Sequence, residues 1–244
     1  QKELKLKGNT VYLNELVGGA LSFYVAAAVA RCGGLHIVVA EDRDAAAYAM
    51  NDLYGLLDEK RVLFFPSAYK RSAAYGKEEA QSVVMRTSTL AAIKNLAEDG
   101  YLVVCTYPEA LAERVTDATN LKNESIELCC GDRVKISELV DMLDNLGFTP
   151  VDFVYEPGQY SVRGGIVDVF SYVESKPYRL DFFGEEIDSL RRFEIGNQLS
   201  SDRLERVEII GNINRSDSAQ VSFTRFAVEA KYWFYDAAYA LDKV

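Results

Sequence analysis

The sequence is poor in the residues that most catalytic and metal sites use. Its 244 residues contain one histidine, one tryptophan, four cysteines and five prolines, and 27 basic side chains face 37 acidic ones, for a net charge of −10. Each scarcity excludes something. The lone His36 lies inside the apolar run 35–40 and reads as a core or strand-edge histidine. A zinc site needs several N or S ligands, and the adjacent Cys129 and Cys130 lack C-x2-C spacing, so no metal centre is expected. With one candidate base, a Ser-His-Asp or Cys-His arrangement has almost no material, and no catalytic residue is assigned. Four thiols in so long a chain do not make a disulfide framework, which fits a reducing cytoplasm. The acidic balance argues against nucleic-acid binding through the bulk surface, although a local basic patch remains compatible with it. The most apolar stretch, 17–30, carries Gly18, Gly19, Ser22 and Tyr24 and stops at Arg31. That is short of the ~20 apolar residues of a membrane span. The first residues carry charge and no h-region, so no signal peptide is expected, and the missing initiator Met points to a trimmed or tag-cleaved chain.

What is present is an ordinary globular composition, long enough for two domains and part of a third. The first half alternates helix and strand. Helices are expected over 18–31, a buried Ala-rich stretch closed by Gly33 and Gly34, and over 42–57 and 77–98, where apolar residues recur every three or four positions. Strands are expected over 35–40, 61–65 and 101–105, which read as short continuous apolar runs. This alternation implies a parallel sheet covered by helices, an α/β domain over 1–118. Beyond a polar connector, one short helix at 137–143, with Ser137 as its N-cap, precedes closely spaced strands at 151–155, 159–162, 165–170, 178–183 and 187–193, separated by Gly and Pro turns. That is a mainly antiparallel α+β module over 119–197. A strand at 206–210 is expected to return to the first domain, so that 198–244 completes it. The aromatic run 232–235 reads equally as a core strand or an exposed edge.

Two places could carry function. Residues 15–22 sit just before a helix of the α/β domain, where a phosphate-cradling G-x-x-x-x-G-K-[ST] loop would lie. Here Glu15 replaces the first glycine, Ala20 the second, and Leu21 the lysine. Gly18 and Gly19 fall between, and only Ser22 matches. A carboxylate and a leucine in place of a turn glycine and a cation should repel a triphosphate, so neither ATP hydrolysis nor any cofactor is expected. The second place is the strand 178–183. Alternation puts Tyr178, Leu180 and Phe182 on the core face and Arg179, Asp181 and Phe183 on the other. An outward arginine beside an outward phenylalanine has the composition of a protein-binding hot spot. A purely structural arrangement, with Arg179 paired to Asp181 or Glu185 and Phe183 covered by the following turn, accounts for the same pattern. Arg163 stands at a glycine turn from which it could reach outward, and Arg191 and Arg192 add basic character. The interval 119–197 holds 8 basic and 15 acidic side chains. A few arginines on such a module suit an acid-bearing protein partner better than DNA.

The run 155–170, YEPGQYSVRGGIVDVF, and its continuation 177–191, PYRLDFFGEEIDSLR, closely resemble a signature of the bacterial transcription-repair coupling factors. The same two blocks occur less closely in the excision-repair protein UvrB. The resemblance extends over roughly residues 4–210. It implies a helicase-like α/β domain, of the P-loop NTPase type but with a degenerate nucleotide site, and an inserted small α+β domain that binds UvrA. The family's UvrA contacts fall on Arg163, Arg179 and Phe183, which turns the balance at Arg179 and Phe183 towards docking. The degenerate loop and the short 67–76 interval, which leaves no room for a DNA-gripping hairpin, favour the coupling factor over UvrB. The resemblance further implies a parent ATP-dependent DNA translocase that links stalled RNA polymerase to nucleotide excision repair. Its motor, polymerase contacts and DNA contacts would lie outside this chain, and its carboxy-terminal region would cover the UvrA face. The alternative is a UvrB-type or helicase fragment that binds ATP and DNA.

Overall fold

The computed structural model describes residues 11, 13, 16–68, 80–117, 125–212 and 220–243. Glu15, the start of the expected 77–98 helix, the 69–76 interval and the connector 118–124 lie outside them.

In chain order the first half contains α1 (Ala20–Cys32), β1 (Gly34–Val39), α2 (Arg43–Tyr54), β2 (Val62–Phe64), α3 (Ala80–Lys94), β3 (Tyr101–Thr106), α4 (Pro108–Ala112) and β4 (Arg114–Thr116). The middle contains β5 (Ser125–Cys129), α5 (Ile136–Asn145), β6 (Thr149–Pro150), β7 (Gln159–Arg163), β8 (Ile166–Val169), β9 (Tyr178–Phe183), β10 (Glu186–Phe193), β11 (Ser200–Leu204) and β12 (Arg206–Ile210). The chain then returns through β13 (Gln220–Ser222), α6 (Phe223–Phe226), β14 (Lys231–Phe234) and α7 (Ala237–Lys243).

The first sheet is parallel, in the order β14-β1-β3-β2. β1 and β3 are buried along nearly their whole length because helices cover the sheet, which is why they read as unbroken apolar runs. α1 inserts Leu21, Val25 and Val29, one side chain per turn, and α2 inserts Ala46, Ala49 and Leu53. α2 is capped by Asp42, whose carboxylate accepts from the Ala45 amide at 2.8 Å. The edge strand β14 is locked by the only histidine. Trp233 Nε1 donates to His36 Nδ1 at 3.1 Å, and His36 Nε2 lies 3.0 Å from the Gly33 carbonyl. A carbonyl can only accept, so the proton sits on Nε2 and the ring is neutral. The aromatic run 232–235 is therefore largely a strand of this sheet.

The second sheet has the order β11-β10-β9-β8-β7-β6, antiparallel except for the β6–β7 pair. Its inner face, with Tyr160, Val167, Val169, Tyr178, Leu180 and Leu190, packs on Leu139 and Leu143 of α5 and on the β5–β12 ribbon. Three expectations change here. The segment 206–210 is a strand, but it pairs with β5 rather than with the first sheet, because Val207 and Ile209 alternate into the second core. With β11 on β10, residues 200–210 belong with the second sheet, and the return to the first begins at β13. Residues 151–155 form no strand; they arch over the outer face, and Val154 packs there with Phe170 and Phe193. α5 starts after Lys135, and no side chain caps it. Among the described residues, no helix is long and apolar enough to cross a membrane.

Candidate docking site

The outer face of the second sheet is built by register. β7 pairs Ser161 with Asp168, β8 pairs Asp168 with Arg179, and β10 pairs Arg191 with Arg179. One row therefore carries Ser161, Asp168, Arg179 and Arg191 across four strands, and the adjoining row carries Arg163, Ile166, Asp181 and Ser189. Two glycine turns make this possible. Gly164 (φ 61°) and Gly165 reverse the chain beside Arg163, and a Cβ on Gly165 would come within 3.0 Å of the Phe182 carbonyl. Gly184 (φ 66°) opens the two-residue turn between β9 and β10. Phe183 sits at the tip of that hairpin with 84% of its surface exposed.

Asp168 organises the face. Its carboxylate is fully buried and accepts from Arg179 Nε at 2.7 Å and Arg179 Nη2 at 2.9 Å, a bidentate fork, while Arg163 Nη2 bonds the same Oδ2. Arg179 Nη1 donates to the Gln198 carbonyl at 3.1 Å, and the guanidinium stacks 4.5 Å above the Phe193 ring. Gln198 is the one non-glycine residue with positive φ (59°) among the described residues. Its Nε2 bonds the Ile195 carbonyl at 2.9 Å, which holds the bend that presents its carbonyl to Arg179. Hydrogen bonding to Asp168 keeps the Arg179 pKa above its ordinary value, so the charge is permanent. Arg163 Nη1 donates to Ser161 Oγ at 2.8 Å and to the Asp152 carbonyl at 3.0 Å, and its guanidinium lies 4.9 Å from the Phe153 ring centroid. Both arginines are thus laid flat and held, with the Arg163 side chain 34% exposed and the Arg179 side chain 14%.

The expected face and the exposed Phe183 stand, but Arg179 pairs with neither Asp181 nor Glu185. Asp181 is taken by Arg191 Nη2 at 2.9 Å. Sequence reasoning passed over Asp168 as an organiser. Its signal was alternation, which puts it opposite Arg179 once strands 166–169 and 178–183 are paired as a hairpin.

The loop before α1 has a different character. Gly18 is exposed with φ 57°, and Gly19 is the N-cap residue. A Cβ on Gly19 would lie 3.1 Å from the Asp52 carboxylate. Ala20 opens the helix, and Leu21 and Ser22 are buried against the first core. Elsewhere, burial pushes the Cys105 thiol up to about 12, so it is no nucleophile at neutral pH. Among the described residues, no group of His, Cys, Asp and Glu could hold a metal ion, and the four cysteines are free thiols.

Residues 126–213 match the family model of the UvrB interaction domain. The matched segment covers the whole of the second sheet. It contains Arg163, Asp168, Arg179 and Phe183, and it runs through β11 and β12, the strands that the structure assigns to the second sheet. Over most of its length the chain is also similar to transcription-repair-coupling factors. It is 29% identical to that of Escherichia coli (strain K12) over 205 residues, 83% of this chain and 17% of the relative. It is 27% identical to that of Haemophilus influenzae over 176 residues (72% and 15%) and to that of Staphylococcus aureus (strain bovine RF122 / ET3-1) over 158 residues (65% and 13%). The chain spans 13–17% of the length of these relatives. The resemblance read from 155–170 and 177–191 is thereby borne out.

Proposed function

We propose that this chain is a non-catalytic recruiting module of a transcription-repair coupling factor, which docks UvrA through Arg163, Arg179 and Phe183 and so links stalled RNA polymerase to nucleotide excision repair. The observation that carries the reading is the pair of arginines clamped by buried Asp168 beside an almost fully exposed phenylalanine, within the segment that matches the UvrB interaction domain. Docking follows from that arrangement. The guanidinium groups are already immobilised, so little side-chain entropy is lost when acidic groups of the partner meet them. Phe183 has no core to leave and supplies the apolar anchor. RNA polymerase, DNA and the ATP-driven motor would be handled by other parts of the parent protein, and its carboxy-terminal region would cover this face until UvrA is needed.

The first domain is a scaffold of the helicase-like P-loop type whose nucleotide site has decayed. Leu21 is directed into the core where a lysine would reach a phosphate, and the Asp52 carboxylate stands against Gly19. Both features oppose a polyanion. Equilibrium dialysis with labelled ATP should therefore show no retention; retention would favour a UvrB-type or helicase fragment that binds ATP and DNA. The direct test is a titration of UvrA. Truncating a hot-spot residue costs ~2 kcal/mol or more, so Arg179→Ala should weaken binding at least ~30-fold, with losses also for Arg163→Ala and Phe183→Ala. Phe183→Ala should leave the unfolding midpoint unchanged, because its side chain is 84% exposed. Unchanged affinity in all three variants refutes the reading.

A further inference from the structure

The arginine row does not end at the hairpin. β11 pairs antiparallel with β10 and sets Arg203 opposite Arg191, which is itself opposite Arg179. At ~4.8 Å between strands, Arg203 stands ~10 Å from Arg179 on the same face, at the sheet edge. Along the two adjoining rows there are four cations, Arg163, Arg179, Arg191 and Arg203, against two anions, Asp168 and Asp181. Asp168 is buried and spent on Arg163 and Arg179, and Asp181 is spent on Arg191. Arg203 is exposed, and Arg191 is 42% exposed. Next to Phe183, Glu186 is offset by Arg133, 3.3 Å away. Within these two rows of a protein of net charge −10, cations outnumber anions by two.

We propose that Arg191 and Arg203 extend the docking face to the edge strand β11 and receive a second, more peripheral acidic patch of the same protein partner. The inference rests on the docking reading above and adds contacts to it. Two observations support an acidic protein surface as the occupant: the charge complementarity just described, and the continuity of the row with Arg179 through paired strands. The inner pair, held by Asp168, would fix the bound geometry. The outer pair is the more exposed, so it would act mainly by drawing the partner in, the usual role of charges at an interface rim.

The test is binding kinetics of the full chain with UvrA. Arg203→Glu and Arg191→Ala are compared with Phe183→Ala and with Arg31→Glu, a charge reversal at the exposed end of α1 on the other unit. Arg203→Glu should lower the association rate on the order of fivefold at ~0.1 M salt, and the deficit should vanish near ~1 M, where the screening length falls from ~10 Å to ~3 Å. Its unfolding midpoint should stay at the wild-type value, and Arg31→Glu should associate like wild type. If Phe183→Ala weakens binding while Arg203→Glu and Arg191→Ala match wild type, the extended face is wrong and the docking reading stands. If Arg31→Glu slows association as much as Arg203→Glu, only net charge matters and the inference falls. If neither Phe183→Ala nor the arginine variants change binding, both fall together.

Discussion

Replacing Asp168 by asparagine probes how far the docking face is built in advance. The substitution keeps size and shape but removes the charge that holds two guanidinium groups. Three charge-assisted bonds converge on this carboxylate, two from Arg179 and one from Arg163. An asparagine has one acceptor oxygen and turns an amide N–H2 towards a cation, so at least one guanidinium is released. Removing one partner of a buried ion pair costs ~3–5 kcal/mol. Both arginines reach solvent, at 34% and 14% exposure, and can hydrate once released. The stability loss should therefore fall at or below the lower end, ~2–3 kcal/mol. Binding loses separately, because re-ordering two long side chains costs ~0.5–1.5 kcal/mol each, which together weakens affinity by ~5-fold to ~150-fold. Urea unfolding gives the first quantity. Titration of UvrA, at a temperature where the variant is folded, gives the second. Unchanged stability and affinity would refute the clamp. Lost stability with unchanged or tighter binding would show that free arginines dock as well as held ones, and would refute preorganisation.

Two further consequences concern the scaffold. Burial lowers the His36 pKa below 6.5, so the unfolded chain binds the extra proton first. The histidine's contribution is complete above pH ~6.5 and declines as pH falls towards the folded pKa, no faster than ~1.4 kcal/mol per pH unit. Urea midpoints measured between pH 7.5 and pH 5 should fall more steeply for wild type than for His36→Gln, and parallel curves would contradict the neutral-ring lock on Trp233. Arg86 is 1% exposed, pairs with Glu113 at 3.1 Å, donates to the Pro66 carbonyl at 2.8 Å and stacks on Phe65. Arg86→Leu leaves Glu113 without its cation and should cost ~3 kcal/mol or more in unfolding free energy; a loss under ~1 kcal/mol would show that the pair is replaceable.

The α/β pattern of the first half was legible because central parallel strands must be apolar on both faces and their helices on one. The returning strand β14 was harder to read, since an aromatic run such as 232–235 suits an edge strand and an exposed end equally. β11 escaped notice for a physical reason: most of its residues are exposed, so no apolar period marks it. The error at 206–210 came from assigning a strand to a sheet by its order in the chain, whereas the alternation of Val207 and Ile209 says only that one face is buried, not against what. At the docking site, alternation placed Arg179 and Phe183 on one face correctly. The partner of Arg179 lies eleven residues away on β8 and is set by hairpin register, which a single strand's pattern does not contain.

The central claim is that an acid-bearing partner reads a pre-set arginine pair and an exposed phenylalanine. Capture of purified UvrA by the immobilised chain, wild type beside Arg179→Glu, tests it most directly. The account predicts retention by wild type and loss by the charge reversal, with Arg179→Glu still folded by circular dichroism. Equal retention by both, or no retention by either, would contradict it.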